Sequence, residues 1–260
     1  MLILLSPAKT LDYETPLLTR KSSIPDRLEE SAELIDVLVK KSPDDIASLM
    51  SLSPQLAELN AERFQNWEQQ PSKENARPAL LAFKGDVYVG MDVPSYSERD
   101  FTHAQKTVRI LSGLHGMLRP LDLIQPYRLE MGTALANPRG KNLYEFWGPR
   151  VTDAVNADLA ARNSKVLVNL ASNEYFGVIQ PERIEADIVS PAFLDEKNGQ
   201  FKIISFFAKK ARGAMASWLV QNRVKTVKGI RGFDGLGYRF DEERSTRERP
   251  VFLRPEGVTR

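Results

Sequence analysis

Apolar and polar positions along this chain of 260 residues follow two periods in turn. Short, mostly apolar runs stand at Met1–Leu5, Pro78–Phe83, Val108–Leu111 and Val166–Leu170, with a fifth, more mixed, at Arg183–Phe193. Runs of this kind read as strands, a continuous one such as Met1–Leu5 as a buried strand. Pro191 in the last run marks an edge or a bulge, because proline cannot donate to a ladder. Helical spacing fills the intervals. Pro25-Asp26 starts a helix with Leu28, Ala32, Ile35, Leu38 and Val39 on one face. Ser42-Pro43-Asp44-Asp45 opens a second, with serine at the N-cap, proline at N1 and acids in the first turn. A third begins near Ser53-Pro54 and carries Leu56, Leu59, Phe64 and Trp67. Further helices are predicted over Asp100–Lys106, over Lys141–Arg162 with a break near Gly148-Pro149, and over Ala208–Asn222.

Asn198-Gly199 predicts a hairpin between FLDEK and QFKIISFF. Tyr238–Phe240 and Val251–Leu253 read as late strands around a charged turn. No repeat, low-complexity tract or long linker interrupts the pattern. Strands alternating with helices, followed by a hairpin, predict a single α/β domain over residues 1–260, a mixed sheet with flanking helices. The five apolar residues at the start lack a basic segment before them and are not expected to be a signal peptide. No run approaches the length of a membrane span, so no membrane partner is expected.

Charge changes this picture. The formal net charge is only +2, yet residues 1–100 carry 11 Lys/Arg against 17 Asp/Glu, and residues 202–260 carry 14 against 6. A basic final segment attracts phosphate whatever the total. The absence of cysteine excludes disulfides, thiolate metal sites and a peroxidatic thiol, and fits a reducing cytoplasm. Only two histidines occur, twelve residues apart, so neither an HExxH pair nor a ferritin-like Glu-x-x-His set is present. No metal site and no cofactor is expected; neither GxxxxGK[ST] nor GxGxxG occurs.

Candidate chemistry gathers where the apolar runs end. Ser-Pro-Ala-Lys-Thr follows the first, Lys-Gly-Asp the second, Ser-Gly-Leu-His-Gly the third and Ala-Ser-Asn-Glu the fourth. Open α/β sheets bind ligands outside the carboxyl ends of their strands, so parallel strands would bring Lys9, Lys84, Arg119, Asn173 and Lys209 to one cleft. Gly113 and Gly116 bracket a tight turn that could present N–H groups to an anion, with Arg119 and Arg128 close by in sequence. A helix starting at Ala208 would hold Lys209, Lys210 and Arg212 in its first turn, where the helix dipole disfavours cations unless an anion is shared between them. Ser6, Ser112 and Ser172 are possible nucleophiles without a paired base, and cap or turn roles are the plainer reading. Asp86, Asp122, Glu130 and Glu174 could serve as acid, base or metal ligand, or as partners that orient Arg and Lys. His115 and Tyr127 read as a turn histidine and a buried tyrosine, with phosphate donation and base stacking as the sharper roles.

Six segments together, SPAKT (6–10), FKGDVY (83–88), LSGLHGMLRPLD (111–122), PYRLEMG (126–132), NLASNEYF (169–176) and FAKKARG (207–213), resemble the bacterial peroxide stress resistance protein YaaA family. The resemblance implies a cytosolic protein that limits oxidative damage by hydrogen peroxide by keeping unincorporated iron low. It also implies DNA binding through a basic cleft, on an unusual α/β fold with a helix-hairpin-helix-like element, for which Gly113–Gly116 is the natural counterpart. The leading expectation is thus sequence-independent binding of duplex or branched DNA through Lys9, Lys84, Gly113, Gly116, Arg119, Arg128, Lys209, Lys210 and Arg212. The alternatives are an enzyme on a small anionic or nucleotide-like substrate, with Asp86 or Glu174 as acid–base, and an iron-binding protein using Asp and Glu.

Overall fold

A computed structural model describes residues 1–258. The chain opens with strand β1 (Leu2–Leu5), fully buried, and the two-residue β2 (Thr10–Leu11). Helices α1 (Leu28–Leu38), α2 (Pro43–Met50) and α3 (Pro54–Gln65) follow. Ser42 caps α2 in a reciprocal capping box with Asp45, and Ser53 accepts from the Leu56 N–H at the start of α3, as the motifs required. The α1 start differs from the expectation: it begins at Leu28, after a turn, and buries Ser31, Leu34, Ile35 and Leu38.

Pro78–Phe83 is not a strand. It splits into β3 (Arg77–Pro78), the single-turn helix α4 (Ala79–Ala82) and β4 (Phe83–Lys84). Its alanines and leucines are helix formers, and a short apolar run does not by itself distinguish buried strand from buried helix. Next come α5 (Asp86–Met91), α6 (Glu98–Thr107), β5 (Val108–Ser112), β6 (Gly116–Leu118), β7 (Leu123–Ile124), α7 (Leu143–Trp147) and α8 (Arg150–Ala161). The break between the last two falls at Gly148-Pro149, with Gly148 at φ +46°. The final part runs β8 (Val166–Asn169), α9 (Asn173–Phe176), β9 (Asp187–Val189), β10 (Ala192–Lys197), β11 (Gln200–Lys202), α10 (Ser205–Gln221), α11 (Val227–Ile230), β12 (Arg239–Asp241) and β13 (Val251–Arg254).

The central sheet has the order β6-β5-β1-β8-β9, with β5, β1, β8 and β9 parallel and β6 antiparallel at the edge. A second mixed sheet, β11-β10-β13-β12, forms from the later part of the chain. Asn198 and Gly199, both at positive φ, turn β10 into β11. The expected single strand over Arg183–Phe193 is divided at Ser190-Pro191: β9 closes the central sheet and β10 belongs to the second. Helices α1, α8 and α10 place Leu34, Leu38, Val151, Val155, Met215 and Leu219 in one continuous core with both sides of β1.

The turn Gly113–Gly116 joins strand to strand, not helix to helix, and all four of its residues are buried. Gly116 sits at φ +65°, and a Cβ there would meet the Trp147 ring at 2.8 Å. Trp147 Nε1 donates to the Gly113 carbonyl at 2.9 Å, and the His115 N–H donates to Ser112 Oγ at 3.0 Å. Ser112 Oγ also bonds the Tyr127 hydroxyl at 2.7 Å, and Ser31 Oγ bonds His115 Nδ1 at 2.8 Å. Burial pushes the His115 imidazole down to about 3, so the ring is neutral. The Ser112 and Tyr127 hydroxyls and the His115 N–H and Nδ1 thus hold the hairpin in place, while the buried His115 Nε2 has no partner among the described residues.

Helices α5 and α10 cross at glycine. A Cβ on Gly213 would lie 1.8 Å from the Val87 carbonyl oxygen, and one on Gly90 would lie 2.0 Å from that of Lys210. Gly213→Ala is accordingly expected to destabilise the protein by about 2 kcal/mol or more, because overpacking against backbone outweighs the roughly 1 kcal/mol that alanine gains in a helix interior. Urea unfolding measures this; a gain in stability would show that the helices do not meet there. His115 supplies a second test. Its folded pKa is depressed below the unfolded 6.5, so the unfolded chain takes up the proton first. Stability should fall as pH drops from about 6.5 toward 3, by up to about 1.4 kcal/mol per pH unit from this group. A His115→Gln variant should show an acid-side slope shallower by one proton; an unchanged slope would rule out the buried neutral ring.

Candidate anion-binding cleft

Parallel strands place the residues after β1 and β8 at the same end of the sheet. There the chain forms a cleft of about 450 Å³ lined by Ser6, Lys9, Lys84, Asp86, Tyr88, Glu130, Ser172, Glu174, Lys209 and Arg212 among others. Its floor is rigid. The Ser172 N–H donates to Ser6 Oγ at 2.8 Å, the Tyr88 hydroxyl donates to the Ser6 carbonyl at 3.0 Å, and the Ser172 hydroxyl caps α9. Ser6 and Ser172 Oγ atoms lie 3.3 Å apart. Neither histidine lines the cleft, so no imidazole base is offered to either serine.

The cations of the cleft fall into two classes. Lys9 Nζ pairs with Glu130 at 2.6 Å, and Arg128 Nη2 approaches the other oxygen of the same carboxylate at 3.0 Å. Arg128 lines a small recess behind Glu130 rather than the cleft itself. Lys84 Nζ stands 3.3 Å from Asp12. The Asp12 carboxyl is held well below the usual carboxylate range, first by the Thr15 N–H and hydroxyl, with Lys84 a lesser contributor. Both lysines are mostly exposed, so these pairs contribute little to stability and open readily.

Lys209 and Arg212 differ. Neither makes a hydrogen bond or ion pair with any described residue. Burial alone acts on the Arg212 guanidinium, lowering its pKa with no acid to offset the loss of water. A partly desolvated cation without a carboxylate partner is suited to hold an anion. On the acidic side, Glu174 Oε1 accepts the Gly132 N–H at 3.0 Å, and Asp86 opens α5 beside Lys84.

Other expected positions lie elsewhere. Arg119 follows β6, which runs antiparallel to β5, so it stands at the amino end of the parallel strands, away from the cleft. There it pairs with the buried Asp122 at 3.0 Å and with Asp26 at 3.0 Å, and donates to the Ile24 carbonyl at 2.6 Å. Burial raises the Asp122 pKa against the pull of Ser23 and Arg119, the behaviour of a structural ion pair. Gly113 and Gly116 are enclosed in their hairpin, and Asn173 does not line the cleft. Helix α10 starts at Ser205, three residues before the expected start, so Lys209, Lys210 and Arg212 are past its first turn and face no dipole penalty there. Phe206 and Phe207 continue the helix where a strand end was expected. Lys210 Nζ lies over the Phe206 ring at 4.5 Å. Sequence reasoning missed Tyr88, which braces Ser6, and the glycine pair of α5 and α10; Gly90 and Gly213 inside helical spacing were the available signal. Among the described residues no three His, Asp or Glu side chains cluster as metal ligands would, and no helix is long and apolar enough to cross a membrane.

A family model described as peroxide stress protein YaaA matches residues 1–244. A UPF0246 protein of Aliivibrio fischeri is 56% identical over 256 residues, covering 98% of this chain and 99% of its own length. A UPF0246 protein of Shewanella baltica is 55% identical over 256 residues, covering 98% and 100%. One from Marinomonas sp. is 53% identical over 258 residues, covering 99% and 98%.

Replacing Arg212 by methionine, similar in length and uncharged, should leave stability unchanged or raise it by up to about 1 kcal/mol, since no acid loses a partner. Thermal melting tests this. In the native protein inorganic phosphate should raise the melting temperature, and in Arg212→Met it should not; equal response in both would remove Arg212 from the site.

Proposed function

Because the chain belongs to the peroxide stress protein YaaA family, we propose that it takes part in the peroxide response by binding DNA in the cytoplasm, without strong sequence preference, through the strand-end cleft. The observation that carries this is the unpaired, partly desolvated Arg212 beside the unpaired Lys209. Phosphate is the anion such a pair suits, because guanidinium gives a bidentate fork and ammonium a point charge. Lys9 and Lys84 stand at the same cleft with exposed, weakly paired ammonium groups that can exchange a carboxylate for a phosphate oxygen, and Lys210 adds positive charge nearby on α10. Keeping unincorporated iron low is part of the proposed role. Duplex and branched DNA both present the phosphates required.

A second reading, an enzyme acting on a small anionic or nucleotide-like substrate, is favoured by Asp86, Glu130 and Glu174 sharing the cleft with the cations. Chemical change in DNA or in added nucleotides, assayed on the same samples, separates the two.

Fluorescence anisotropy on a labelled duplex, across a series of salt concentrations, tests the leading reading. Lys209→Ala combined with Arg212→Ala should weaken binding by about tenfold near 0.1 M salt and reduce the log–log salt slope by about 2, the loss of two phosphate contacts. Arg119→Ala should leave affinity unchanged while lowering stability, because it strands Asp122. Undiminished binding by the double variant would sink the proposal.

A further inference from the structure

Beside the cleft lies a second cavity of about 560 Å³, reached past Lys84, whose side chain lines both. Arg63, on α3, lines it. Its guanidinium is half-buried and has no carboxylate partner; its one hydrogen bond is a long 3.5 Å contact to Asn60 Oδ1. The Asn66 side-chain amide, one turn further along, makes no hydrogen bond with any described residue. Leu11, Leu59 and Pro126 supply apolar surface.

This lining differs in kind from that of the cleft. Asp12, Glu14 and Glu62 also line it, and their carboxylates oppose a phosphate there. A neutral, flat, polar-edged group fits instead: apolar side chains for its faces, a guanidinium to stack on or to donate to ring acceptors, an amide that both donates and accepts, and carboxylates for exocyclic amines. The volume is that of a small-ligand pocket, enough for one nucleoside. Lys84 lines both spaces, and its exposed ammonium, weakly paired with Asp12, can exchange that carboxylate for the phosphate that joins them.

We propose that this cavity receives one unpaired base of a DNA strand whose phosphates lie on Lys84, Lys209 and Arg212. The inference rests on the DNA-binding reading above and adds to it a preference for DNA with an unpaired nucleotide. Taking up a base that is already unpaired avoids the cost of unstacking one from a duplex.

Three hairpin duplexes test it: one fully paired, one with a single bulged adenine, and one with an abasic residue in the bulge. The native protein should bind the bulged adenine about tenfold more tightly than the abasic bulge, the scale of one stacked base. That difference should shrink below about twofold in Arg63→Ala and in Asn66→Ala, each keeping its affinity for the paired hairpin and a native melting curve. Equal affinity of the native protein for adenine and abasic bulges overturns the base cavity and leaves the DNA reading standing. A preference that survives in both variants overturns it as well. No binding to any of the three overturns both.

Discussion

The close crossing of α5 and α10 at Gly90 and Gly213 is the constraint on which the cleft depends. Backbone carbonyls of each helix occupy the space a side chain would take on the other, so the helices meet closer than any residue but glycine allows. That contact brings Lys209 and Arg212, which precede Gly213 on α10, to the same cleft as the Lys84-Gly85-Asp86 entry to α5. Gly85 in turn packs against Ala8, where an added Cβ would lie only 3.1 Å from the Ala8 Cβ, and this ties the same segment to the end of β1. One helix pair thereby brings together three stretches of chain that are remote in sequence.

The electrostatics follow from that arrangement. Where the chain has a carboxylate to spare, it uses it: Glu130 takes Lys9 and Arg128, Asp12 takes Lys84, and Asp122 takes Arg119. Arg212 and Lys209 make no ion pair with Asp86, Glu130 or Glu174, the carboxylates that line the cleft with them. A protein under selection for stability alone would neutralise a half-buried guanidinium or replace it. Arg63 repeats the pattern on α3, at the next cavity. Unpaired desolvated cations, and not the total of basic residues, are what single out these two spaces from the rest of a polar surface.

Much of the fold could be read from the chain. Buried strands at Leu2–Leu5, Val108–Ser112 and Val166–Asn169 follow from apolar runs, the α2 and α3 caps from serine and proline, and the β10–β11 hairpin from Asn198-Gly199, because each depends on neighbours in sequence. Pro78–Phe83 and Arg183–Phe193 failed for the opposite reason. Whether an apolar run becomes strand or helix, and whether one strand or two, depends on which sheet edge is free to take it. The site residues divide in the same way. Lys9 reaches the cleft from the end of β1, as strand-end logic suggested, but Lys84 comes from β4, outside the central sheet, and Lys209 and Arg212 come from within α10, while Arg119 is carried to the opposite end by the antiparallel direction of β6.

The sequence by itself determined the elements fixed by their own neighbours, with their caps and turns, since these rest on local periodicity. Only the tertiary structure decided which cations are satisfied. Pairing requires two side chains within a few ångströms, and the partners of Lys9, Lys84, Arg119 and Arg128 are chosen by strand order and helix crossing, whereas Arg212 and Arg63 are left without one by the same packing.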